Sequence, residues 1–599
     1  MKILILNNIE PPDASRPSGF DHIFSFRHFR WADFFPHDLM TEKEEASIYR
    51  EVYVSLLDYL KPHFSEKSPY FYRGVNLLWC LKKALFNYAY HVQLHYEILK
   101  RLMKKFESGE FYFKEQGFNS DYPSLRLILE ASPLKKSSRF HFLYEKISEP
   151  ETKTEGGRSS WIRTLWPDSI VQGNLEKIEI AFFSDFQKSK SILPHLDASR
   201  CAFYTDGPSP HLFLHCLKRQ IAFYQAVYDP SNNESLKTFD GDIFDTFSLI
   251  DSKSGTEQLM GVRLDELSKE TVPRLTFQID RIHQFVGRVK SLKTVYLDED
   301  IGPVKNAFCQ VMRQYGVTSF VESHGVLAHP SGYVPVTADF LFAWGAAQRR
   351  KLITWGCPEK QVIISGCSRY DSYRGHDRTR ARQKAVKDFG LDPSKKILLI
   401  AFPLIRANRP LLFEARWVNV FYETLEEAAA YKRKVNLIVK FKSRSNDQNK
   451  KYCKDWIRNK NLEGHFRVIE DYDSLLLARA ADVIIAYGTT FAVDGLAMET
   501  PVIYPYHPTM PLLEEFKEFE AFYFTESRSE LRSLISSLLK GNHPKQASFK
   551  QVRKECLSGE TDQTAGELIA KCLREGVERT KSSDLLQPLH SYESQNTNR

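Results

Sequence analysis

Short apolar runs that end in polar turn residues alternate along this chain with longer stretches of helical periodicity. The opening run KILILNN predicts a buried parallel strand, because it is brief, uniformly apolar and closed by asparagines. Similar runs predict strands near residues 178–186 and 200–207. From about residue 42 to residue 107 the pattern is helical. Within it, the run RGVNLLWCLKKALFNYAYHVQLHYEILKRLMKKF has apolar residues three and four positions apart, which predicts one long helix or a bent pair.

A βαβ unit in the middle of the chain brings polar residues to one edge of a sheet. KTVYLDEDIG predicts a strand ending in acids, PVKNAFCQVMRQYG an amphipathic helix, and VTSFVESHG the next strand with its loop. The carboxyl ends of parallel strands lie at the same edge of a sheet, where ligands bind. We therefore expect Glu299, Asp300 and His324 to lie near one another at such an edge.

A second series of strands and helices follows this unit and runs to a last helix at about 563–577. Two successive series predict an α/β fold with two Rossmann-like, doubly wound domains facing a cleft, and the helices at about 42–107 form an insertion in the first. We expect an N-terminal domain over residues 1–365 and a C-terminal domain over 366–578. The polar tail at 579–599 is predicted to be disordered.

Composition and charge narrow the classes of protein. A chain of 599 residues with 42% hydrophobic and 26% charged residues is an ordinary globular protein with more than one core. A net charge of +8 suits a small polyanionic ligand, but it falls short of a dedicated nucleic-acid binder, so no nucleic-acid partner is expected. Nine scattered cysteines without a CxxC pair predict reduced, buried thiols.

The cellular location follows from the apolar runs. The apolar run at the amino terminus is too short for a signal peptide, and no apolar run in the chain is long enough to span a bilayer. We therefore expect a cytoplasmic protein. The aromatic stripe in the helical stretch RGVNLLWCLKKALFNYAYHVQLHYEILKRLMKKF predicts core packing. Its basic residues leave an alternative, in which this helix rests peripherally on the inner face of the cell membrane.

A small turn with hydroxyl side chains before a helix predicts a phosphate site. In ADVIIAYGTTFAVDGLAMETPVI, Gly488, Thr489 and Thr490 follow a predicted strand, and Asp494 lies on the first turn of the next helix. Free backbone N–H groups and the positive helix end suit a phosphate or diphosphate. The carboxylate can bind both ribose hydroxyls, while the alternative role for these residues is to cap the helix.

Basic residues follow two other predicted strands of the second series. Lys440, Lys442 and Arg444 lie in LIVKFKSRS, and Arg406 lies in AFPLIRANR. As plain cations they are suited to contact phosphates, and the alternative is a solvated basic face.

Two segments resemble known transferases. ADVIIAYGTTFAVDGLAMETPVI resembles the donor-binding motif of GT-B glycosyltransferases, with Thr489 and Thr490 in place of Ser-Thr and Asp494 in place of Glu. The strand LIVKFKSRS resembles one that often ends K-x-H-P in this family. Lys440 is kept there, but Lys442 and Ser443 stand where His and Pro would be, so no histidine role is expected at this loop.

The longest resemblance runs from the strand SFVESHG to SGCSRYD. It resembles a pattern in bacterial surface-polysaccharide enzymes, in which Gln-His-Gly is followed by an Asp, a Trp-Gly pair and a Gly-x-x-Arg-x-Asp element. Families that share the pattern include capsule and sialic-acid-type transferases, CDP-glycerol glycerophosphotransferases and proteins like UDP-GlcNAc 2-epimerase. The matching positions here are Ser323 to Gly325, Asp339, Gly345, Gly366, Arg369 and Asp371.

The resemblance implies a metal-independent glycosyltransferase that needs no cofactor besides its co-substrate. It would move a sugar, or a polyol phosphate, from a nucleotide-activated donor to a glycan or glycolipid. His324, Asp300 or Glu299 would act in catalysis, and Asp206 is a second candidate acid. The residues implied in donor binding are Gly325, Gly366, Arg369, Arg406, Lys440, Gly488, Thr489, Thr490 and Asp494.

Two alternatives share the same fold. A UDP-GlcNAc 2-epimerase-like enzyme would need acids on both faces of the sugar and would turn over without an acceptor. A non-catalytic nucleotide-sugar-binding protein of polysaccharide assembly would bind the nucleotide without transfer, which the altered K-x-H-P loop allows. His329 is predicted to be a turn residue, since proline follows it.

Overall fold

The computed structural model describes most of the 599 residues, in sixteen stretches. They are 1–7, 17–26, 32–64, 70–115, 124–136, 139–143, 169–228, 251–327, 329–373, 377–402, 414–442, 447–487, 489–505, 521–543, 545–558 and 563–576. The predicted tail at 579–599, Arg406, Arg444 and Gly488 lie outside the described residues.

Twenty strands occur in the described part of the chain. They are β1 Lys2–Asn7, β2 His22–Ser25, β3 Phe71–Tyr72, β4 Val75–Asn76, β5 Glu110–Glu115, β6 Phe140–Phe142, β7 Ser169–Gln172, β8 Ile180–Phe183, β9 Cys201–Thr205, β10 Ala222–Ala226, β11 Thr294–Leu297, β12 Thr318–Glu322, β13 Phe340–Ala343, β14 Val362–Ile364, β15 Lys396–Ala401, β16 Val435–Lys440, β17 Phe466–Ile469, β18 Val483–Ile485, β19 Val502–Pro505 and β20 Tyr523–Thr525.

Seventeen α-helices occur in the same ranges. They are α1 Glu42–Leu60, α2 Leu77–Lys105, α3 Leu125–Ala131, α4 Phe186–Ser189, α5 Pro210–Arg219, α6 Lys253–Glu270, α7 Val272–Arg288, α8 Pro303–Gln314, α9 Ala346–Thr354, α10 Arg378–Phe389, α11 Glu414–Ala429, α12 Asp447–Asn459, α13 Ser474–Ala480, α14 Phe491–Ala497, α15 Arg528–Leu539, α16 Gln546–Val552 and α17 Ala565–Glu575.

Two large, mainly parallel sheets confirm the predicted α/β fold. The first has the order β14-β13-β12-β11-β8-β9-β10-β7, and only its edge strand β7 is antiparallel. The second is wholly parallel, with the order β17-β16-β15-β18-β19-β20. The predicted βαβ unit is β11-α8-β12, with Leu297 paired to Val321. Helices cover both faces of each sheet, which makes the two units Rossmann-like.

A third sheet is a feature that the sequence did not predict. Strand β1 is a buried parallel strand as expected, but it belongs to a separate four-stranded parallel sheet with the order β2-β1-β5-β6. One face of this sheet, with Ile3, Ile5 and Phe24, joins the hydrophobic core that continues to one face of the eight-stranded sheet. The amino-terminal part of the chain therefore contains two sheets around one core.

Helices α1 and α2 form the predicted helical insertion, with the β3-β4 hairpin between them in the chain. The run from Arg73 to Phe106 contains one long helix, α2, and not a bent pair. Asn76 caps α2 by accepting a hydrogen bond from the Trp79 N–H at 2.9 Å. The aromatic stripe of α2 is core, since Phe86, Tyr88 and Tyr96 are at most 4% exposed. This packing removes the stripe from any lipid contact. No helix in the described ranges combines the length and apolar composition needed to cross a bilayer.

The last helix, α17, leaves the second sheet and packs on the first. Ile569, Ala570 and Leu573 lie in the core on the outer face of the eight-stranded sheet, and the Leu573 carbonyl accepts a hydrogen bond from Thr294 Oγ1 at 2.7 Å. The last strand of the eight-stranded sheet, β14, ends at Ile364, just before the predicted boundary after residue 365, and the domain limits themselves stay predictions. All nine cysteines are free thiols and eight are buried, which confirms that prediction.

The buried histidine His95 on α2 makes stability depend on pH. Its side chain is 3% exposed, and its ring meets Phe26 edge to face at 4.6 Å. Burial lowers the pKa of the His95 imidazole from 6.5 to about 4. Between these values the unfolded chain binds a proton that the folded chain does not bind. His95 therefore lowers the free energy of unfolding by about 3 kcal/mol as the pH falls from 6.5 to 4.

We expect His95→Gln to remove this part of the pH dependence, because glutamine does not titrate. Urea unfolding of the wild type and the variant between pH 4 and pH 7 measures it. His211→Gln, at an exposed position on α5, is the matched control and should keep the wild-type slope. An unchanged slope in His95→Gln would show that another group is responsible.

Candidate functional site

A cleft of about 520 Å³ lies between the eight-stranded and six-stranded sheets. Both sheets turn the carboxyl ends of their strands toward it, as parallel sheets do at ligand sites. Its lining comprises Asp185, Lys188, Glu322, Ser323, His324, Trp344, Cys367, Ser368, Arg369, Ala401, Phe402, Lys440, Lys442, Ser474, Thr489, Thr490, Phe491 and Asp494. Seven of the residues predicted for the site therefore line one cavity: His324, Arg369, Lys440, Lys442, Thr489, Thr490 and Asp494.

His324 projects into the cleft from the loop after β12. Its imidazole is exposed to the cleft and stacks on Tyr333, with ring centroids 4.5 Å apart and an interplanar angle of 8°. The cleft walls desolvate the ring and Lys188 repels its positive charge, which together lower the pKa of His324 to about 3. At neutral pH the imidazole is uncharged, so it is suited to exchange hydrogen bonds with a ligand.

Side chains from the segment after β13 hold the loop that carries His324, by donating hydrogen bonds to its main-chain carbonyls. The Trp344 indole N–H donates to the Ser323 carbonyl at 2.9 Å, and the Gln348 amide donates to the Gly325 carbonyl at 3.2 Å. A Cβ built on Gly325 would lie 3.6 Å from the Tyr333 hydroxyl and 3.9 Å from Thr490 Oγ1. Gly325 thus lies at the point where the histidine loop faces the second sheet.

Glu322 is a buried carboxyl at the end of β12 that the sequence reasoning missed. It is 4% exposed and accepts hydrogen bonds from the Ser368 N–H at 3.0 Å, the Ser368 hydroxyl at 2.7 Å and the Tyr296 hydroxyl. Burial raises its pKa, and these donors oppose that rise. The sequence does contain a signal for this residue, because Glu322 is the one charged residue in the apolar run SFVES.

Asp185 and Lys188 were also missed, although Asp185 lies at the end of the predicted strand near 178–186 and Lys188 directly follows it. Asp185 caps α4 by accepting from the Gln187 N–H at 3.0 Å, and its side chain is exposed. Lys188 Nζ lies 3.9 Å from Asp298 Oδ2 and donates to the Asp298 carbonyl at 3.3 Å. They bring an accessible carboxylate and a cation to the N-terminal side of the cleft.

Asp494 and Arg369 form an ion pair in the lining of the cleft. Arg369 Nη2 donates to Asp494 Oδ2 at 2.7 Å, and the Tyr370 hydroxyl donates to Asp494 Oδ1 at 3.0 Å. The Asp494 side chain is 2% exposed while that of Arg369 is 45% exposed. The Asp494 carboxylate raises the pKa of the Arg369 guanidinium. Arg369 therefore stays charged, with half of its side chain open to a ligand.

Lys440 and the two threonines complete the C-terminal side. Lys440 ends β16, is 8% exposed and donates to the Tyr472 carbonyl at 3.5 Å. Burial lowers the pKa of Lys440, and Asp494 opposes this. Thr490 is the N-cap residue of α14 without a side-chain capping bond, and Thr489 Oγ1 accepts from the Phe491 N–H at 3.3 Å. The structure therefore contains the predicted strand, the turn with two hydroxyl side chains and the helix that carries the acid Asp494.

Four predicted residues lie away from this cleft, namely Asp206, Glu299, Asp300 and Gly366. Asp300 is 5% exposed, and its Oδ2 accepts from the N–H groups of Thr337 at 2.6 Å and Ala338 at 3.0 Å, so it anchors the loop before β13. Burial raises the pKa of Asp300. Glu299 accepts from the Gly302 N–H at 3.1 Å and lines a separate pocket. Gly366 has φ +86°, which favours glycine, and forms a bridge with Ser558.

Asp371, from the matched pattern, and His329, the predicted turn residue, have structural contacts. The Asp371 carboxylate accepts from the N–H groups of Ala565 at 3.2 Å and Gly566 at 2.6 Å, at the start of α17. His329 stacks on Tyr49 at 4.6 Å, and burial lowers its pKa to about 4. Within the described residues, no group of three or more His, Cys, Asp or Glu side chains is placed to hold a metal ion.

Positively charged side chains outnumber carboxyl groups in the lining of the cleft. Four cations line it, namely Lys188, Arg369, Lys440 and Lys442, and they come from both halves of the chain. Three carboxyls accompany them, and two of these, Glu322 and Asp494, are buried against hydrogen-bond donors. A cavity of this kind attracts an anionic group such as a phosphate.

No family model and no curated protein matches this chain. Among solved structures, a glycosyltransferase from Rickettsia africae is 10% identical and has a TM-score of 0.41, covering 67% of this chain and 100% of its own. UDP-GlcNAc 2-epimerases from Methanocaldococcus jannaschii (14% identical, 67% and 100% covered) and Neisseria meningitidis (13%, 66% and 99%) both have TM-scores of 0.43. The Neisseria structure has UDP-GlcNAc bound. Each of these TM-scores is below 0.5.

Proposed function

We propose that this protein is a nucleotide-sugar-dependent glycosyltransferase, which moves a sugar or polyol phosphate to a glycan or glycolipid acceptor. The observation that carries the proposal is the cleft between two Rossmann-like units, where Lys188, Arg369, Lys440 and Lys442 converge near the buried Asp494. A nucleoside diphosphate offers two matching groups: the diphosphate binds the cations, and the ribose hydroxyls donate to a carboxylate.

Arg369 has a double role in this proposal. With no ligand, it occupies Asp494 Oδ2, the oxygen that a ribose hydroxyl would use. Its half-exposed guanidinium can turn toward the diphosphate when the ribose takes its place on Asp494. The charge that develops on the departing nucleotide is then stabilised by cations of the chain itself.

The acceptor hydroxyl needs a base on the N-terminal side of the cleft. Asp185 is the exposed carboxylate there, whereas Glu322 and Asp494 are buried and already accept from several donors. Asp300 and Glu299 do not line the cleft. In this assignment Asp185 takes the proton, and neutral His324 donates a hydrogen bond to the donor phosphate or sugar.

A thermal-shift screen with UDP, CDP, CMP and GDP tests the proposal. At about 100 times its Kd, a nucleotide that binds the folded state adds roughly 2.7 kcal/mol to the free energy of unfolding. We expect one of the four to raise the melting temperature, also in the presence of EDTA. If none does, the proposal fails.

Two arginine variants show whether the nucleotide binds in this cleft. Arg369→Ala should weaken binding by about tenfold or more, since a charge-assisted bond to phosphate is lost. Arg458→Ala removes an exposed arginine paired with Asp455 on α12 and should bind like the wild type. Equal affinities in the two variants would place the nucleotide elsewhere.

A UDP-GlcNAc 2-epimerase-like reaction is the second candidate. It is favoured by carboxyls on both sides of the cleft, Asp185 and Glu322 on one and Asp494 on the other. Incubation with UDP-GlcNAc alone separates the two activities. An epimerase converts the sugar without an acceptor, while a transferase gives at most slow release of UDP.

A further inference from the structure

A second pocket, of about 270 Å³, opens at the same edge of the eight-stranded sheet as the cleft. It lies over three adjacent strands in the order β11-β8-β9. Phe183 ends β8, Asp206 follows β9 and Glu299 follows β11, and all three line the pocket. None of these residues lines the nucleotide cleft.

The lining combines an apolar floor with balanced charges. Phe183, Leu275 and Val304 supply apolar surface. Around them, Arg274 Nη2 lies 3.0 Å from Asp206 Oδ2, and Lys305 Nζ lies 3.6 Å from Glu299 Oε1. The four charged side chains are between 19% and 51% exposed, so a ligand can reach their polar atoms.

This balance of charge distinguishes the pocket from the cleft. Its two cations are each paired with a carboxylate, so the four groups carry no net charge and offer little to a phosphate. Paired carboxylates and cations beside apolar surface suit a ligand with many hydroxyls on one face and C–H groups on the other. A neutral sugar ring has this chemistry.

One buried carboxylate separates the pocket from the cleft. Asp298 is 7% exposed and accepts a hydrogen bond from Lys305 on the pocket side. On the cleft side its Oδ2 lies 3.9 Å from Lys188 Nζ and accepts from the Asp185 N–H at 3.2 Å. Asp298 therefore connects Lys305, which lines the pocket, to Lys188 and Asp185, which line the cleft.

We propose that this pocket binds a neutral sugar ring of the acceptor, while the cleft binds the nucleotide donor. The assignment rests on the proposed transferase function. The acceptor would extend from the pocket along the sheet edge past Asp298, so that its reacting hydroxyl meets Asp185. Asp206 and Glu299 accept from sugar hydroxyls, and Arg274 and Lys305 donate to them.

Saturation-transfer NMR with three probes tests the pocket directly. The probes are methyl α-glucopyranoside, methyl β-galactopyranoside and N-acetylglucosamine, each at millimolar concentration. The double variant Asp206→Asn, Glu299→Gln keeps the size of both side chains but removes the charged acceptors. Asp280→Asn is the matched control, since Asp280 pairs with Arg73 outside the pocket.

We expect at least one probe to give a signal with the wild type and with Asp280→Asn, and a signal about tenfold weaker with the double variant. The nucleotide shift should be the same in all three proteins. The absence of any probe signal, or an undiminished signal in the double variant, overturns the assignment. Loss of the nucleotide shift in the double variant overturns it too, because the pocket would then bind the nucleotide. If no nucleotide shifts even the wild type, the transferase proposal fails instead.

Discussion

His324→Ala is expected to lower turnover of the nucleotide-activated donor by about 100-fold or more, with the melting temperature nearly unchanged. The imidazole is exposed in the cleft, and its ring contact is the stack on Tyr333. Its removal therefore leaves no buried cavity, but a ligand loses a hydrogen-bond partner. Release of nucleotide from the donor that gives the largest thermal shift measures turnover.

The pH profile separates two roles for His324. Because its pKa is lowered to about 3, the imidazole stays neutral across the neutral range. Turnover should then show no inflection near pH 6.5 that depends on this residue. An inflection there in the wild type that is absent in His324→Gln would show a titrating base instead. Parallel loss of turnover and stability in His324→Ala would indicate a packing role.

Two aspartate variants complete the comparison. Asp185→Asn should reduce turnover by about 10²- to 10⁴-fold while the nucleotide shift stays intact, as expected for loss of a base. Asp300→Asn should do the opposite, since Asp300 accepts two buried N–H bonds and does not line the cleft. It should lower the melting temperature while each folded molecule keeps its turnover.

Gly566→Ala is expected to destabilise the protein by about 2–3 kcal/mol. Gly566 lies in the first turn of α17, and a Cβ there would be 2.2 Å from the Ser191 carbonyl oxygen and 3.3 Å from Asp371 Oδ2. Ser191 in turn donates to the Ser368 carbonyl at 2.9 Å. Since backbone atoms oppose the added methyl group, α17 must move away from the two segments that it ties together.

Gly287→Ala is the matched control for this substitution. Gly287 lies in α7, and a Cβ there would meet no atom within 4 Å. Alanine should be neutral or stabilise the helix by about 0.5–1 kcal/mol. Urea unfolding of both variants gives the comparison. A Gly566→Ala protein as stable as Gly287→Ala would mean that α17 is not tightly docked on the first sheet.

Local periodicity was sufficient to predict much of the architecture. The strands β8, β9, β11 and β12 and the helical insertion follow from short apolar runs and from spacings of three and four residues. The extra four-stranded sheet could not be predicted in the same way. Strand β1 pairs with β5, about a hundred residues further along the chain, and a parallel pairing leaves no trace in either strand's own sequence.

The candidate site shows the same division between sequence and structure. The turn Thr489-Thr490, Asp494 and His324 could be found from the sequence, because each follows a strand and strand ends meet at one sheet edge. The sequence also brought Asp300 to that edge, yet its carboxylate turns inward to the Thr337 and Ala338 N–H groups.

The sequence by itself determined the elements, their order and the edge at which polar residues gather. Only the tertiary structure decided which side chains face the cleft. Asp185 rather than Asp300 is exposed there, and Asp494 is occupied by Arg369 from a distant segment. The reason is physical: a strand's periodicity places a residue at a sheet edge, but its direction beyond the strand depends on partners that are remote in sequence.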